Sequence, residues 1–385
     1  MAERSDHGRE IVIIGGGIIG CCTAYYLTRH PKYERERDRI IILEATKIAG
    51  GASGKAGGFI APWADPPCLA NLAWRLHSEL TKEFDGVNRY GYREVRRLHC
   101  TVRFQEASKD SIPQESVPLP AWMCEDRTAT AVLKGHGAQL HPLLFTSLMA
   151  EEAEARGARI VLGSASSINY SEDGATVKSV SYTAQGSGDI TYLPASHVIL
   201  AAGPWAPTIL PKLPIEGARN CAIHLRVPSQ DLSPDLVFFN DEIPNFFPRV
   251  KFYPRPDNTI HISAGTDNRT TLPSSTTLVQ ADKEICEQLR LAADFISPRL
   301  RGREVLVEQA CYRPALTIPG RDRIHGPLLA VTPISGLVLA VGHDNWGIQN
   351  GPATGKLVSE LVCDGEAASA DISSLTMGVD VRDLV

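Results

Sequence analysis

Three glycines near the start of the chain stand where backbone, rather than side chain, would do the binding. Ile11 to Gly20 reads IVIIGGGIIG, an apolar β-branched run that meets Gly15-x-Gly17-x-x-Gly20, and Cys21 to His30 then reads as a helix. Each glycine has a physical task in a strand–turn–helix unit. Gly15 permits the sharp turn, Gly17 lets the backbone approach a pyrophosphate, and Gly20 lets the helix pack close to the strand. The open N–H groups and the dipole of that helix then face the phosphates. Glu44 ends a second apolar run, Ile40 to Leu43, where a carboxylate can accept the hydroxyls of a ribose. The gap from Gly20 to Glu44 slightly exceeds the usual ~20 residues, and the mixed-charge stretch Lys32 to Arg39 accounts for the excess as a solvated loop. The pattern predicts a dinucleotide site.

Further glycine-rich stretches lengthen it. Gly50 to Gly58 (GGASGKAGG) places five glycines in nine residues directly after the ribose-binding strand, leaving backbone amides open to a long cofactor. His197 to Ala202 reads as a buried strand running into Gly203-Pro204-Trp205, a place for close backbone approach. Near the far end, Leu337 to Val341 reads as a strand, Gly342 to Pro352 as a glycine-punctuated loop, and Ala353 to Cys363 as a helix with Pro352 near its first turn. A dinucleotide needs one helix end for its pyrophosphate. A second positive helix end suits another acceptor, such as the pyrimidine edge of a flavin, which gains negative charge on reduction, and this argues against a nicotinamide cofactor.

Between these stretches lie the elements that position them. Leu69 to Asp85 has helical periodicity with Leu72, Leu76 and Leu80 on one face; Tyr92 to Phe104 reads as strand; Lys109 to Pro120 reads as a Pro/Ser-rich surface loop. His141 to Arg156 reads as a helix ended by Gly157, followed by a strand at Arg159 to Leu162. Val177 to Tyr182 and Ile190 to Leu193 suggest a hairpin. Asn220 to Ala264 alternates apolar and polar residues, with two antiparallel strands around the Pro256-Asp257-Asn258 turn, and Thr277 to Phe295 reads as a helix. The fold class expected is α/β plus antiparallel β. A discontinuous dinucleotide domain (residues 1–90, 137–219 and 311–375) would carry an inserted domain built on a large antiparallel sheet (91–136 and 220–310).

Bulk properties exclude several classes. At 385 residues the chain exceeds one small core, and a net charge of −5 gives no electrostatic case for nucleic acid or a membrane surface. No apolar run approaches a membrane span, and the polar start MAERSDHGRE lacks a signal-peptide core, so the cytoplasm is the expected compartment. Nine cysteines form no CxxC, which predicts neither a disulfide framework nor a metal site.

Together IVIIGGGIIG, Glu44, GGASGKAGG, AAGPW, FYPRPDNTIHIS, ACYRPALTIPGRDRIHG and GHDNWGIQNGPATGK resemble, in order and over nearly the whole chain, the FAD-dependent amine and amino-acid oxidoreductases, the group of glycine oxidase, monomeric sarcosine oxidase and D-amino-acid oxidase. They are also similar to uncharacterised fungal members of that group. The resemblance implies a Rossmann-like FAD-binding domain with a substrate domain inserted. It also implies oxidation of the C–N bond of a small amine or amino acid by hydride transfer to flavin N5, giving an imine, with O2 or another acceptor taking the electrons. Cofactor-binding positions implied are Gly15, Gly17, Ile18, Ile19 and Gly20; Glu44 and Ala45; Gly51, Ala52, Ser53, Lys55, Ala56, Gly57 and Gly58; Ala202, Gly203 and Trp205; Cys311; and Gly342, Asn345, Trp346, Gly347 and Ile348.

Arg313 matches the arginine that holds a substrate carboxylate in glycine oxidase, and a guanidinium fork suits that task. The competing reading is a structural arginine paired with an acid such as Asp322. Cys311 matches the flavin-thioether position of sarcosine oxidase, where glycine oxidase has a small residue, so covalent and free FAD both stay open. His261 lies near the position of a lysine linked to dioxygen activation, with Lys251 close in sequence; this departure leaves oxidase and dehydrogenase both open. Tyr253, with Arg313 and His261, completes the catalytic candidates, while Tyr312 and His343 are further pocket candidates. A 2-hydroxyacid dehydrogenase, or an FAD-binding protein with an interaction or trafficking role, are the alternatives.

Overall fold

In this computed structural model, residues 8–103, 116–123, 128–239, 249–267, 270–318, 326–376 and 381–384 are described. The helices are α1 (Ile18–Leu27), α2 (Ala52–Lys55), α3 (Pro67–Glu83), α4 (Gly86–Tyr90), α5 (Pro142–Ala155), α6 (Lys283–Ile296) and α7 (Gly347–Cys363). The strands are β1 (Glu10–Ile14), β2 (Arg39–Glu44), β3 (Phe59–Ile60), β4 (Arg93–Arg103), β5 (Ser116–Val117), β6 (Thr128–Gln139), β7 (Arg159–Tyr170), β8 (Val177–Ala184), β9 (Ile190–Pro194), β10 (His197–Leu200), β11 (Ile215–Arg226), β12 (Asp235–Phe239), β13 (Lys251–Pro254), β14 (Thr259–Asp267), β15 (Val305–Leu316), β16 (Leu328–Val331) and β17 (Leu337–Val341).

Among the described residues these strands form two sheets. The first has the order β16-β17-β10-β1-β2-β7-β8-β9. Its centre is parallel: β1 pairs with β2 (Ile11 opposite Ile40) and with β10 (Ile11 opposite His197), and β10 pairs with β17. Both faces of that centre are covered, so β1 and β17 are continuous apolar runs with no alternation. The helix face joins β1 and β2 to α1, α3, α5 and α7 in one core.

The second sheet has the order β15-β11-β14-β13-β12-β4-β6-β3, with β5 on β6. Here side chains alternate. Ile223, Phe252, Ile260 and Ile262 pack on one face against Cys286, Leu289, Ala293 and Ile296 of α6. Their neighbours in sequence, His224, Lys251, Tyr253, His261 and Ser263, point to the opposite face, as a period of two requires.

Several elements differ from the sequence reading. α6 starts at Lys283 instead of Thr277, because the Asp282 carboxylate accepts from the N–H groups of Glu284 (3.1 Å) and Ile285 (3.3 Å) and so caps it there. Thr276 to Leu278 is a separate 3-10 turn. β7 and β8 run on past Leu162 and Tyr182 as a long antiparallel pair. α7 begins at Gly347, so Pro352 lies inside the helix and not at its first turn. The Lys109 to Pro120 loop falls mostly outside the described residues, and its end forms β5. The expected segment boundaries after residues 136, 219 and 310 fall inside β6, β11 and β15, which run through them unbroken.

Candidate active site

A cavity of about 610 Å³ runs between the two sheets, within the range of roughly 300–1,000 Å³ usual for small-molecule sites. At one end it is lined by Gly15, Gly17 and Ile18 at the β1–α1 turn, by Leu43 and Glu44 closing β2, and by Gly163 to Ser166 of β7. Its middle is the Gly50–Gly57 segment and Ala201 to Trp205. Its other end is the polar face of the second sheet, with Lys251, Tyr253, His261, Ser263, Cys311 and Arg313, closed by His343 to Asn345, Gly347 and Ile348.

The first end is a cradle that side chains would fill. Gly15 has φ +115°, and a Cβ there would lie 2.5 Å from the Ala201 carbonyl oxygen. At Gly17 the nearest atom to an added Cβ is Ser53 Oγ at 3.0 Å; that hydroxyl accepts from the Ile18 N–H, the first of α1. The Glu44 carboxylate accepts from the Gly16 N–H (2.8 Å) and from the Thr46 N–H (2.9 Å), which fixes it facing the cavity with acceptor positions left over. Both α1 and α7 bring their N-termini to the lining. They can do so because they cross closely: a Cβ at Gly351 would lie 2.6 Å from Ile18 Cγ1, and one at Gly355 would lie 2.5 Å from the Cys22 backbone. Two positive helix ends and a side-chain-free groove fit the phosphates and ring of a flavin dinucleotide.

The second end carries charge. Arg313 pairs with Asp344, whose φ of +42° sets it at the start of the 3-10 turn before α7. Lys251 opens on the cavity with its Nζ 5.5 Å from the Phe238 ring centroid. Burial first, then Arg313 and Arg97, push Lys251 down to about 8. His224 Nε2 lies 2.9 Å from His261 Nδ1 and 3.2 Å from Gln309 Nε2. The His224–His261 contact requires one ring nitrogen to donate and the other to accept, which ties the two imidazoles to complementary tautomers. Burial, with Arg255 and His224 nearby, holds His261 well below the ordinary histidine range. Burial also raises the Tyr253 phenol, and pushes the Cys311 thiol up to about 11 against the pull of Arg313 and Lys55. Lys55 is anchored by donating to the Ala310 carbonyl (2.8 Å).

Of the residues singled out from the sequence, Arg313, Tyr253, His261 and Cys311 meet in this cavity, together with most of the glycine-loop positions. Gly20, Gly58 and Trp346 stand outside its lining. Gly20 packs helix on strand, a Cβ there meeting Gly15 O at 1.9 Å. The Gly58 carbonyl accepts from Leu140 N (3.0 Å). The Trp346 indole packs on Phe59 and Trp63. Tyr312 lies on the other face of β15, its hydroxyl donating to the Thr271 carbonyl (3.0 Å). His343 lines the cavity but is tied to Thr354 Oγ1 (3.0 Å) and held down to about 3 by burial. Among the described residues an acid on Arg313 is Asp344; Asp322 lies outside the described residues. Sequence reading did not assign a role to Asp344, although it lies within the GHDNWGIQNGPATGK motif, and missed the Gly163–Ser166 stretch, which carries no local motif. Among the described residues no cluster could hold a metal, and no helix is long and apolar enough to cross a membrane.

Two wound sheets around a glycine-lined groove define a flavin-dinucleotide oxidoreductase architecture. The chain belongs to the FAD dependent oxidoreductase family, whose sequence pattern matches residues 10–361. It is 32% identical to a Schizosaccharomyces pombe protein named only as an oxidoreductase, over 96% of this chain and 98% of that one. Among solved structures, glycine oxidase from Geobacillus kaustophilus superposes with a TM-score of 0.73 at 19% identity, covering 96% of this chain and 98% of its own. Iminodiacetate oxidase from Chelativorans sp. BNC1 gives 0.70 at 21%, covering 95% and 98%. At these identities the two structures share the fold.

Proposed function

We propose that this FAD-dependent oxidoreductase oxidises the C–N bond of a small amine or amino acid. The observation that carries the reading is the Arg313–Asp344 pair at the sheet end of the cavity. A guanidinium beside a carboxylate presents one positive and one negative partner, the complement of a zwitterion. A 2-hydroxyacid supplies no cation for Asp344, so the pair favours the amine over that alternative.

Bound FAD supplies a two-electron acceptor for the hydride on the carbon next to nitrogen, and the resulting imine is hydrolysed by water. The residues of the chain orient and shield. The cradle of Gly15, Gly17, Ser53 and Glu44 would hold the adenosine diphosphate half, and the α7 end at Gly347 and Ile348 the pyrimidine edge. Arg313 holds the substrate carboxylate and Asp344 the ammonium. His261, held neutral, accepts a hydrogen bond from the substrate nitrogen once the ammonium has released its proton to water. Tyr253 walls the site; Gly57 leaves it room, since a Cβ there would lie 2.6 Å from the ring. In this reading the first sheet with α1, α3, α5 and α7 forms the cofactor side and the second sheet with α6 the substrate side. Cys311 is the candidate for a thioether to the cofactor.

The test is anaerobic bleaching of the flavin absorption of the purified holoprotein by a panel of amines and amino acids, beside a matched panel of 2-hydroxyacids. Bleaching by amino acids is expected; bleaching by hydroxyacids alone would sink the reading, and no bleaching at all would favour a non-catalytic FAD-binding role. Acid precipitation of the same holoprotein decides the linkage: a yellow pellet supports Cys311, a colourless one excludes it.

A further inference from the structure

Among the described residues, the sheet end of the cavity holds more positive charge than a zwitterion can answer. Arg313 and Asp344 form one ion pair there. Lys251 is then left over: it opens on the same cavity, and among the described residues no oxygen accepts from its Nζ. Its Nζ lies 5.5 Å from the Phe238 ring centroid. A second cation shares that ring: the Arg97 guanidinium is 5.1 Å from the Phe238 centroid and 5.0 Å from that of Trp63. Arg97 Nε is buried and without a partner among the described residues. Strand register explains the grouping, since Lys251 lies opposite Phe238 and Arg97 opposite Leu236 in adjacent pairs of the second sheet. Aromatic faces attract cations but offer no lone pair, so an enclosed ammonium there remains under-solvated. Such an arrangement is complementary to an anion that arrives with the ligand.

We propose that the molecule filling the sheet end of this cavity carries two carboxylates: one on Arg313, the second on Lys251, with the field of Arg97 behind it. Taken with the oxidoreductase reading above, on which this step rests, the substrate is a dicarboxylic amine, its nitrogen at Asp344. The depressed pKa of Lys251 agrees, because the burial that chiefly disfavours its proton, and the arginines that add to it, would be offset by a second carboxylate.

The experiment is equilibrium titration of the holoprotein, followed by the shift in flavin absorption and by calorimetry, with unreactive diacids (malonate, succinate, glutarate) against monoacids of matched length (acetate, propionate, butyrate). The best diacid is expected to bind at least about tenfold tighter than its matched monoacid, the gain typical of one charge-assisted contact in a partly dry site. Lys251→Met is expected to bring the diacid down to the monoacid's affinity, and Lys251→Arg to keep most of the preference. Equal binding of diacids and monoacids by the wild-type protein overturns the proposal without any variant being needed, and so does a preference that survives Lys251→Met. Flavin bleaching by neutral amino acids but not by aspartate or glutamate overturns it too while leaving the oxidoreductase reading intact. A diacid preference with no bleaching by any amine has the opposite meaning: the two-carboxylate site stands and the oxidoreductase reading falls.

Discussion

One histidine shows how far a single side chain can be derived from its surroundings. Pro352 has no N–H to give the Ile348 carbonyl four residues back in α7. His77, buried on α3, takes over: its Nε2 lies 3.1 Å from both Ile348 O and Gln349 O. Carbonyls accept, so Nε2 must carry the proton, and Nδ1 is buried without a partner. A second proton would have no acceptor, and burial pushes His77 down to about 4 despite the two carbonyl contacts. The sign follows. The unfolded chain takes up this proton near the ordinary histidine value, before the folded one does, so stability is lost as pH falls from about 6.5 toward about 4. Between about pH 7 and about pH 5 this group alone should cost about 2 kcal/mol. Urea midpoints of wild type and His77→Gln at those two pH values check it: the variant should lose less on acidification by that amount, and equal losses would remove His77 from the account. At this scale the family resemblance led to Arg313, Tyr253 and His261, and the structure places all three on one cavity. Asp344 was not singled out, and Lys251 was noted only for its closeness in sequence to His261, because their meaning lies in which charges the topology places opposite them.

The helices show where local rules stop. Pro352 reads as a helix start because proline suits the first turn. The structure instead starts α7 five residues earlier, tolerable because His77, remote in sequence, satisfies the freed carbonyl. No window around Pro352 contains that information. The strands of the second sheet were easier, since alternation itself marks the face on α6 and the face on the cavity. Their limits were not, and segment boundaries drawn by composition cut through β6, β11 and β15. The α1–α7 crossing also yields a prediction. Gly355 sits against the Cys22 backbone, where an added Cβ would lie 2.5 Å from the Cys22 carbonyl carbon, and backbone cannot swing aside as a side chain can. Gly355→Ala should therefore destabilise the protein by about 1–3 kcal/mol through overpacking, although alanine is the better helix former. Because the crossing aligns both helix ends on the cavity, FAD should also bind more weakly. Denaturation and FAD titration of the purified variant measure the two effects, and a stabilised variant would show that the crossing relaxes.

For the whole molecule the question is whether the two sheets and the cofactor form one cooperative unit. The cavity takes its lining from both sheets, so FAD held there as proposed would contact both, and stripping it should remove stability according to mass action. At free FAD about a hundredfold above Kd that stabilisation is about 3 kcal/mol. Two glycines separate cofactor binding from folding. Gly17 has φ −80°, which any residue adopts, and an added Cβ meets only Ser53 Oγ at 3.0 Å. Gly17→Ala should leave the apoprotein folded with near wild-type stability while weakening FAD at least about tenfold, since the methyl group occupies the approach to the pyrophosphate; at equal FAD this costs about 1.4 kcal/mol of the stabilisation. Gly15 differs, with φ +115° and the Ala201 carbonyl 2.5 Å from an added Cβ. Gly15→Ala should be unstable even without cofactor, because it forces β1 away from the end of β10 before FAD enters the comparison. Thermal unfolding of the two apoproteins across an FAD series distinguishes the cases. A Gly17→Ala apoprotein as unstable as Gly15→Ala would mean that the turn is built for the sheet. The expected contrast, stable but unresponsive against unstable throughout, would mean that Gly17 is kept free for the cofactor while Gly15 is required by the chain itself.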